Sequence, residues 1–177
     1  MRNCLALGVV CGFLTCTAFA AQDVASAVVA TVKTVDKGTK TVVVKTGDGT
    51  EQTFRFLGRT VAHGATATAK GSKDAFDTMK EGDDVVVHYT EKGAVKTAEE
   101  VDHVGKGGLK VADVVVTSVD HGAKTVTVKT AEGGVETYHL TVRAARETGK
   151  GLDKGGKVTV YYTEDAGKKV AHYFKEG

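Results

Sequence analysis

The 177-residue chain contains no proline and no tryptophan, and its three cysteines and single asparagine all fall within the first sixteen residues. Beyond that point disulfide staples and thiol chemistry are excluded, and N-glycosylation has no acceptor. Aromatics make up only 6% of residues, and methionine is confined to Met1 and Met79. No serine sits in a nucleophile elbow, since the serines are Ser26, Ser72 and Ser118 in unrelated contexts. Charge of one sign is missing too. Without Arg2 in the leader described next, 23 basic residues face 22 acidic ones, with residues 22–105 at net −2 and 106–177 at net +3. That balance argues against a polyanion partner, which calls for a strongly basic face.

Apolar residues run together at length only at the start. After Met1-Arg2-Asn3 an apolar run from Cys4 to Phe19 ends in Ala18-Phe19-Ala20-Ala21, the pattern of a Sec-type signal peptide with a small-x-small cleavage site after Ala20 or Ala21. It is too short for a membrane span, which needs roughly 20 apolar residues. Neither Cys11 nor Cys16 follows the small residue expected before a lipidated cysteine, which favours release over anchoring. The mature protein is therefore expected to be periplasmic or secreted, without cysteine and without a transmembrane segment.

What the chain does have is a repeat. Thr34–Phe54 matches Ser118–Tyr138 at 11 of 21 positions with a spacing of 84, and Gly82–Glu91 matches Gly155–Glu164 at 6 of 10 with a spacing of 73. Two units of roughly 70 to 80 residues follow, each marginal alone and helped by packing on the other. The expected organisation is a signal peptide over 1–21, a first repeat over 22–104, a Gly-rich linker and hinge over 105–110 and a second repeat over 111–177.

Within each unit apolar residues alternate with period two, as strands with one buried face require. Val42, Val44, Val85, Val87 and Tyr89 share one phase in the first copy, and Val126, Val128, Val158, Val160 and Tyr162 share it in the second. Asp36-Lys37-Gly38 and Asp120-His121-Gly122 predict tight turns with positive φ at the glycine. Gly47-Asp48-Gly49, Glu132-Gly133-Gly134, Lys92-Gly93 and Asp165-Ala166-Gly167 predict the other hairpins. Three meandering strands, a longer connection and a closing hairpin make an all-β chain of two tandem five-stranded antiparallel OB-like barrels. In the first connection Ser72–Lys80 is expected as a short helix capped by Ser72 with Phe76 and Met79 on one side. In the second, Arg143, Arg146, Lys150 and Lys154 are expected in a loop.

The VD-x-x-x-K-T-V-x-V turn and strand, with the following Phe-x-x-(Met/Leu)-K-x-GD-x-V-x-V-x-Tyr segment, resembles small OB-like β-barrel modules of bacterial exported proteins of unassigned function. Val32–Phe56 and Phe76–Tyr89 fit it, and Val114–Leu140 and Leu152–Tyr162 fit without the Phe and with Gly156 in place of Asp. A neighbouring resemblance, to periplasmic copper and silver chaperones of the same barrel shape, implies a His, two Met and a Trp as metal ligands. Trp is missing here, and the one Met beyond the leader, Met79, falls in the connection and not on a strand.

Six histidines, His63, His88, His103, His121, His139 and His172, show no pair at metal-ligating spacing. His88 is expected on the outer face of its strand, with Tyr161 exposed at the equivalent place in the second copy. The acidic runs Glu81–Asp84 and Glu99–Asp102 lack the order of a calcium loop. Tyr161, Tyr173, Arg143 and Arg146 could form the aromatic-and-basic face that barrels use for single strands, but composition and export speak against nucleic acid. The sequence thus points to a non-enzymatic envelope binding protein with no catalytic residues, no assigned metal site and no cofactor. Its partner is another envelope protein or a small ligand, met in a groove between the copies lined by the 57–80 connection, His88, Tyr161 and the 143–154 loop, with Arg143, Arg146 and Tyr173 as further binding residues. The alternative is an envelope protein that binds a metal or small ligand.

Overall fold

The computed structural model describes residues 24–64, 75–147 and 152–177. Its strands close into two five-stranded barrels. The first contains β1 (Val24–Asp36), β2 (Thr41–Thr46), β3 (Glu51–His63), β4 (Asp84–Lys92) and β5 (Val95–His103), and the second β6 (Lys110–Asp120), β7 (Thr125–Thr130), β8 (Val135–Leu140), β9 (Lys157–Asp165) and β10 (Lys168–Glu176). Both barrels share one order: first, second, third, fifth, fourth, and back to the first. In each, the third and fifth strands run parallel and the other pairs antiparallel. This OB-like architecture is the fold class the alternation predicts.

The predicted core phase is buried. Val42, Val44, Phe54, Val85, Val87 and Val101 fill the first barrel, and Val126, Val128, Tyr138, Val158, Val160 and Phe174 the second. Burying each such side chain contributes on the order of 1.5–3 kcal/mol. One polar device is also duplicated: Lys96 Nζ stands 5.3 Å from the Tyr89 ring centroid and 6.0 Å from that of Phe54, bonded to Gln52. Lys169 stands likewise 5.5 and 5.6 Å from Tyr162 and Tyr138, bonded to Glu136. A feature kept in both copies serves the fold.

The first hairpin differs from expectation in detail. Positive φ falls on Lys40 (53°) and Lys124 (52°), not on Gly38 or Gly122. The glycines are there for close approach, because Asp36 Oδ1 accepts from the Gly38 amide at 2.8 Å and a Cβ on Gly38 would stand 3.3 Å from that oxygen. Glycine has its conformational role at Gly82 (φ 90°) and Gly155 (φ 89°), whose amides donate to Val32 and Val116.

The connections exchange their predicted characters. In the first copy a 3-10 turn spans Ala75–Thr78, burying Ala75 and Phe76, while Ser72 lies outside the described residues. In the second, the expected basic loop is instead an α-helix, α1 (Val142–Glu147). Thr141 Oγ1 caps it by accepting from the Ala144 amide at 3.0 Å. Lys150 lies outside the described residues, and Lys154 is exposed in a turn. Nor is 105–110 a free hinge. Leu109 donates to the His103 carbonyl at 2.8 Å, its own carbonyl accepts from Gly105 at 2.9 Å, and its side chain is buried.

Gly82→Ala is expected to cost about 1–2 kcal/mol, because an L side chain is strained at that φ. Gly47→Ala, with open space around the added Cβ, should stay within about 0.5 kcal/mol. Urea unfolding of the two variants measures the difference, and equal losses would remove the backbone account.

Candidate functional site

The chemistry-bearing side chains meet where the two barrels pack. On the outer face of the first barrel, parallel pairing sets His63 beside Asp102 and Val61 beside Glu100. Antiparallel pairing then sets Asp102 beside Val86 and Glu100 beside His88. Outward side chains on neighbouring strands stand about 4.5–5.5 Å apart at Cβ, so the sheet alone gathers two imidazoles and two carboxylates. Residues 39 positions apart become neighbours by this route.

The second barrel covers this patch. Val86, Leu109 and Tyr161 form an apolar cluster with Ala27, Val29, Val104 and Tyr173 around it. Tyr173 stands edge-on to His88 with centroids 6.3 Å apart and lies 6.0 Å from the Tyr161 ring. From α1, Glu147 Oε1 accepts from His88 Nδ1 at 2.9 Å and Arg143 Nε donates to Glu100 Oε2 at 2.5 Å. From β10, His172 Nδ1 reaches Asp102 Oδ2 at 3.2 Å, and its other nitrogen faces Thr163 Oγ1 at 3.2 Å.

The expected site residues therefore converge, but in a closed seam and not an open groove. His88 is 1% exposed and Tyr161 7%, where both were expected in solvent. They do lie on the outer faces of their barrels, and each of those faces is covered by the other barrel. Tyr173 and Arg143 are half-buried in the same seam. Arg146 stays apart, exposed on α1 beside a groove of about 340 Å³ that His121, Lys124 and Val142 also line. With Tyr161 buried and Tyr173 half-buried against it, the aromatic-and-basic face weighed for single strands is largely covered.

The seam is also an electrostatic unit. Asp102 has no exposure. Burial would push its carboxyl up, yet the hydrogen bond from His172 and the His88 imidazole 3.5 Å away hold it well below the usual carboxylate range. For His88, burial would push the imidazole down, but the carboxylates of Asp102 and Glu147 outweigh that and raise it to about 9. His88 is thus an imidazolium at neutral pH, with Glu147 2.9 Å from one ring nitrogen and Asp102 3.5 Å from the other. His103, by contrast, is pushed down by burial and stays neutral, its Nε2 3.3 Å from Thr78 Oγ1.

Sequence reasoning missed Asp102, Glu100, Glu147 and the convergence of His63 with them. A signal was present, because Val85-Val86-Val87 is a continuous apolar run, the pattern of a strand buried on both faces. Its equivalent, Val158-Thr159-Val160, alternates.

No family model and no curated protein matches the chain. Among solved structures it is similar to apo-CusF residues 6–88 from Escherichia coli, with 14% identity and a TM-score of 0.36 over 50% of this chain and 98% of that one. It is also similar to Drosophila Unr CSD456, with 13% identity and a TM-score of 0.36 over 86% of this chain and 61% of that one. A third is the tetrameric p202 HIN2, with 10% identity and a TM-score of 0.32 over 88% and 95%. These likenesses concern the barrel shape and carry no argument about activity.

Removing one partner from a buried ion pair costs about 3–5 kcal/mol, so Asp102→Asn should lower stability by about 3 kcal/mol in urea unfolding at pH 6. The charged His88 also fixes a pH dependence. Folded His88 keeps its proton where the unfolded chain, near its ordinary 6.5, has released it. Its contribution is whole below about pH 6.5 and is lost as pH rises through about 9, whereas that of Asp102 is present above about pH 3.8 and lost as pH falls below it. Unfolding free energy, measured with chelator present, should fall between pH 6.5 and 9 in the wild type and less so in His88→Gln. A flat wild-type curve would remove the buried imidazolium.

Proposed function

We propose that the chain is an exported, non-enzymatic binding protein of the bacterial envelope, a pair of fused OB-like barrels that holds its ligand on outer surfaces. The observation that carries this reading is the filling of both barrel interiors by apolar side chains, with the polar groups gathered on outer faces. A filled barrel binds from outside.

The outer surface offers room for a ligand. Besides the groove beside Arg146, one of about 500 Å³ is lined by Asp113, Val115, Lys129, Ala131, Lys157 and Thr159. Another of about 360 Å³ runs between the barrels along Ala27, Val29, Gln52, Tyr173 and Lys175. A hydrolytic reading would start from the line Thr163–His172–Asp102, which places a hydroxyl, an imidazole and a carboxylate in sequence. None of these three grooves is lined by Thr163 or His172. Asp102 and His172 instead belong to the charge compensation of the seam.

Support for export comes from the charged start, the apolar run and the Ala18-Phe19-Ala20 pattern, with a cysteine-free chain beyond it. Among the described residues no helix is long and apolar enough to cross a membrane. Full-length chain expressed in a bacterium should be recovered from the periplasmic or culture fraction, with an intact mass that places the new N-terminus at Ala21 or Gln22. Recovery from the cytoplasm with residues 1–20 retained would overturn the envelope reading.

A further inference from the structure

We propose that His63, Glu100 and Asp102 form a site for a divalent first-row transition-metal ion of the zinc class, at the rim of the seam. This rests on the reading of the chain as a binding protein and names the chemical class of one ligand. One donor atom from each of the three lies within 4.8 Å of the others. Their positions are set by the rigid pairing of β3 with β5, in which His63 and Asp102 are direct partners.

The pattern of satisfied and unsatisfied atoms points the same way. Asp102, with no exposure, uses Oδ2 toward His172 and His88, while Oδ1 has no hydrogen-bond partner among the described residues. An orphaned carboxylate oxygen in a buried place is costly and calls for a cation or a donor. Glu100 divides its two oxygens in a similar way. Arg143 holds Oε2, and Oε1 faces His63 Nε2 at 3.6 Å. Arg143 thereby acts as a positioning residue that orients the carboxylate and leaves one oxygen toward the imidazole. The third donor supplies access, since the His63 side chain is 48% exposed and can enter or leave without opening the seam.

Donor type selects the ion. One imidazole nitrogen with two carboxylate oxygens suits zinc and its divalent neighbours, whereas calcium and magnesium take oxygen-only sets and soft copper(I) wants sulfur. Among the described residues the only sulfur is that of Met79, buried in the first core. With zinc–donor distances of about 2.0–2.2 Å, tetrahedral donors stand about 3.5 Å apart. The His63–Glu100 spacing of 3.6 Å meets that already, and the whole set, within 4.8 Å, closes on an ion by small side-chain adjustments.

The test is a calorimetric titration of ZnCl2 into the chelator-stripped full-length chain, with the leader thiols alkylated so that only the fold offers donors. Cobalt(II) absorption serves as the second readout. Wild type should bind one equivalent and give a visible ligand-field spectrum. His63→Ala and Glu100→Gln should each weaken zinc at least tenfold and lose that spectrum, while His139→Ala, an exposed imidazole on the second barrel, should leave both unchanged. No zinc binding, binding unmoved by His63→Ala and Glu100→Gln, or equal weakening in His139→Ala would each overturn the site. Because His63 is on the surface, its variant tests the site even if substitutions at Asp102 fail to fold. Failed titration of an exported, processed chain overturns the metal site alone. Retention of an uncut chain in the cytoplasm overturns the envelope reading and leaves the titration result standing.

Discussion

A carboxylate sealed from water must be compensated where it lies, and Asp102 is compensated from both halves of the molecule. His88 approaches from its own barrel and His172 from the other. Glu147 then answers the charge that His88 carries. Each charge in this chain is buried only because the next one is buried with it, and the last links, on α1 and β10, belong to the second repeat. The arrangement of the two barrels is in this sense fixed by electrostatics, with the apolar cluster of Val86, Leu109 and Tyr161 supplying the dry surroundings in which those charges interact strongly. A strand-borne ion network of this kind specifies orientation more sharply than apolar packing, which has no directional preference.

Internal duplication explains how such a network can exist. The outer face of the closing hairpin is used in both copies, yet equivalent places hold different residues: His88 answers to Tyr161, Glu100 to Tyr173 and Asp102 to Lys175 at a constant spacing of 73. Two identical barrels meeting by that face would set carboxylate against carboxylate in a self-complementary contact. Fusion through Gly105–Leu109 frees the copies to diverge, so that one contributes aromatic rings and the other charge. The short hydrogen-bonded turn also keeps the faces at high effective concentration. Core and turn positions were under no such pressure, and they retain the repeat, as Lys96 and Lys169 over their paired rings show.

This division also sets what could be read without coordinates. Fold class and core phase were legible because they depend on local rules: period-two alternation at Val126 and Val128, aspartate-led turns, and the recurrence itself. The assignment of His88 and Tyr161 to solvent failed for a physical reason. A polar residue on the outward side of a strand reads as exposed unless something covers it, and covering is a tertiary event. Val86 between Val85 and Val87 was the one local sign of a second buried face. Glu147 and Arg143 were hidden more deeply, because their segment reads as a loop until Thr141 caps it and Ala144 is buried against the second core. The convergence of His63 with Asp102 was not accessible at all, since it depends on the parallel pairing of β3 with β5 across the 3-10 turn and β4.

The open rim and the closed centre of the seam follow from the same sheet. Along β5, Asp102 and Glu100 alternate with the core residue Val101, and each outward carboxylate has a neighbour on β4, the covered side, and one on β3, the side that opens at His63 although Asp102 itself is sealed. On the covered side the partners are fixed by packing: His88, with Glu147 and His172 behind it. On the open side stands His63, half in solvent and held by no such packing. The central network is held from both barrels, while at the rim the half-exposed His63 side chain can move toward the proposed ion without disturbing that network. The metal site proposed above would thus use the β3 side of the same two carboxylates whose β4 side joins the barrels.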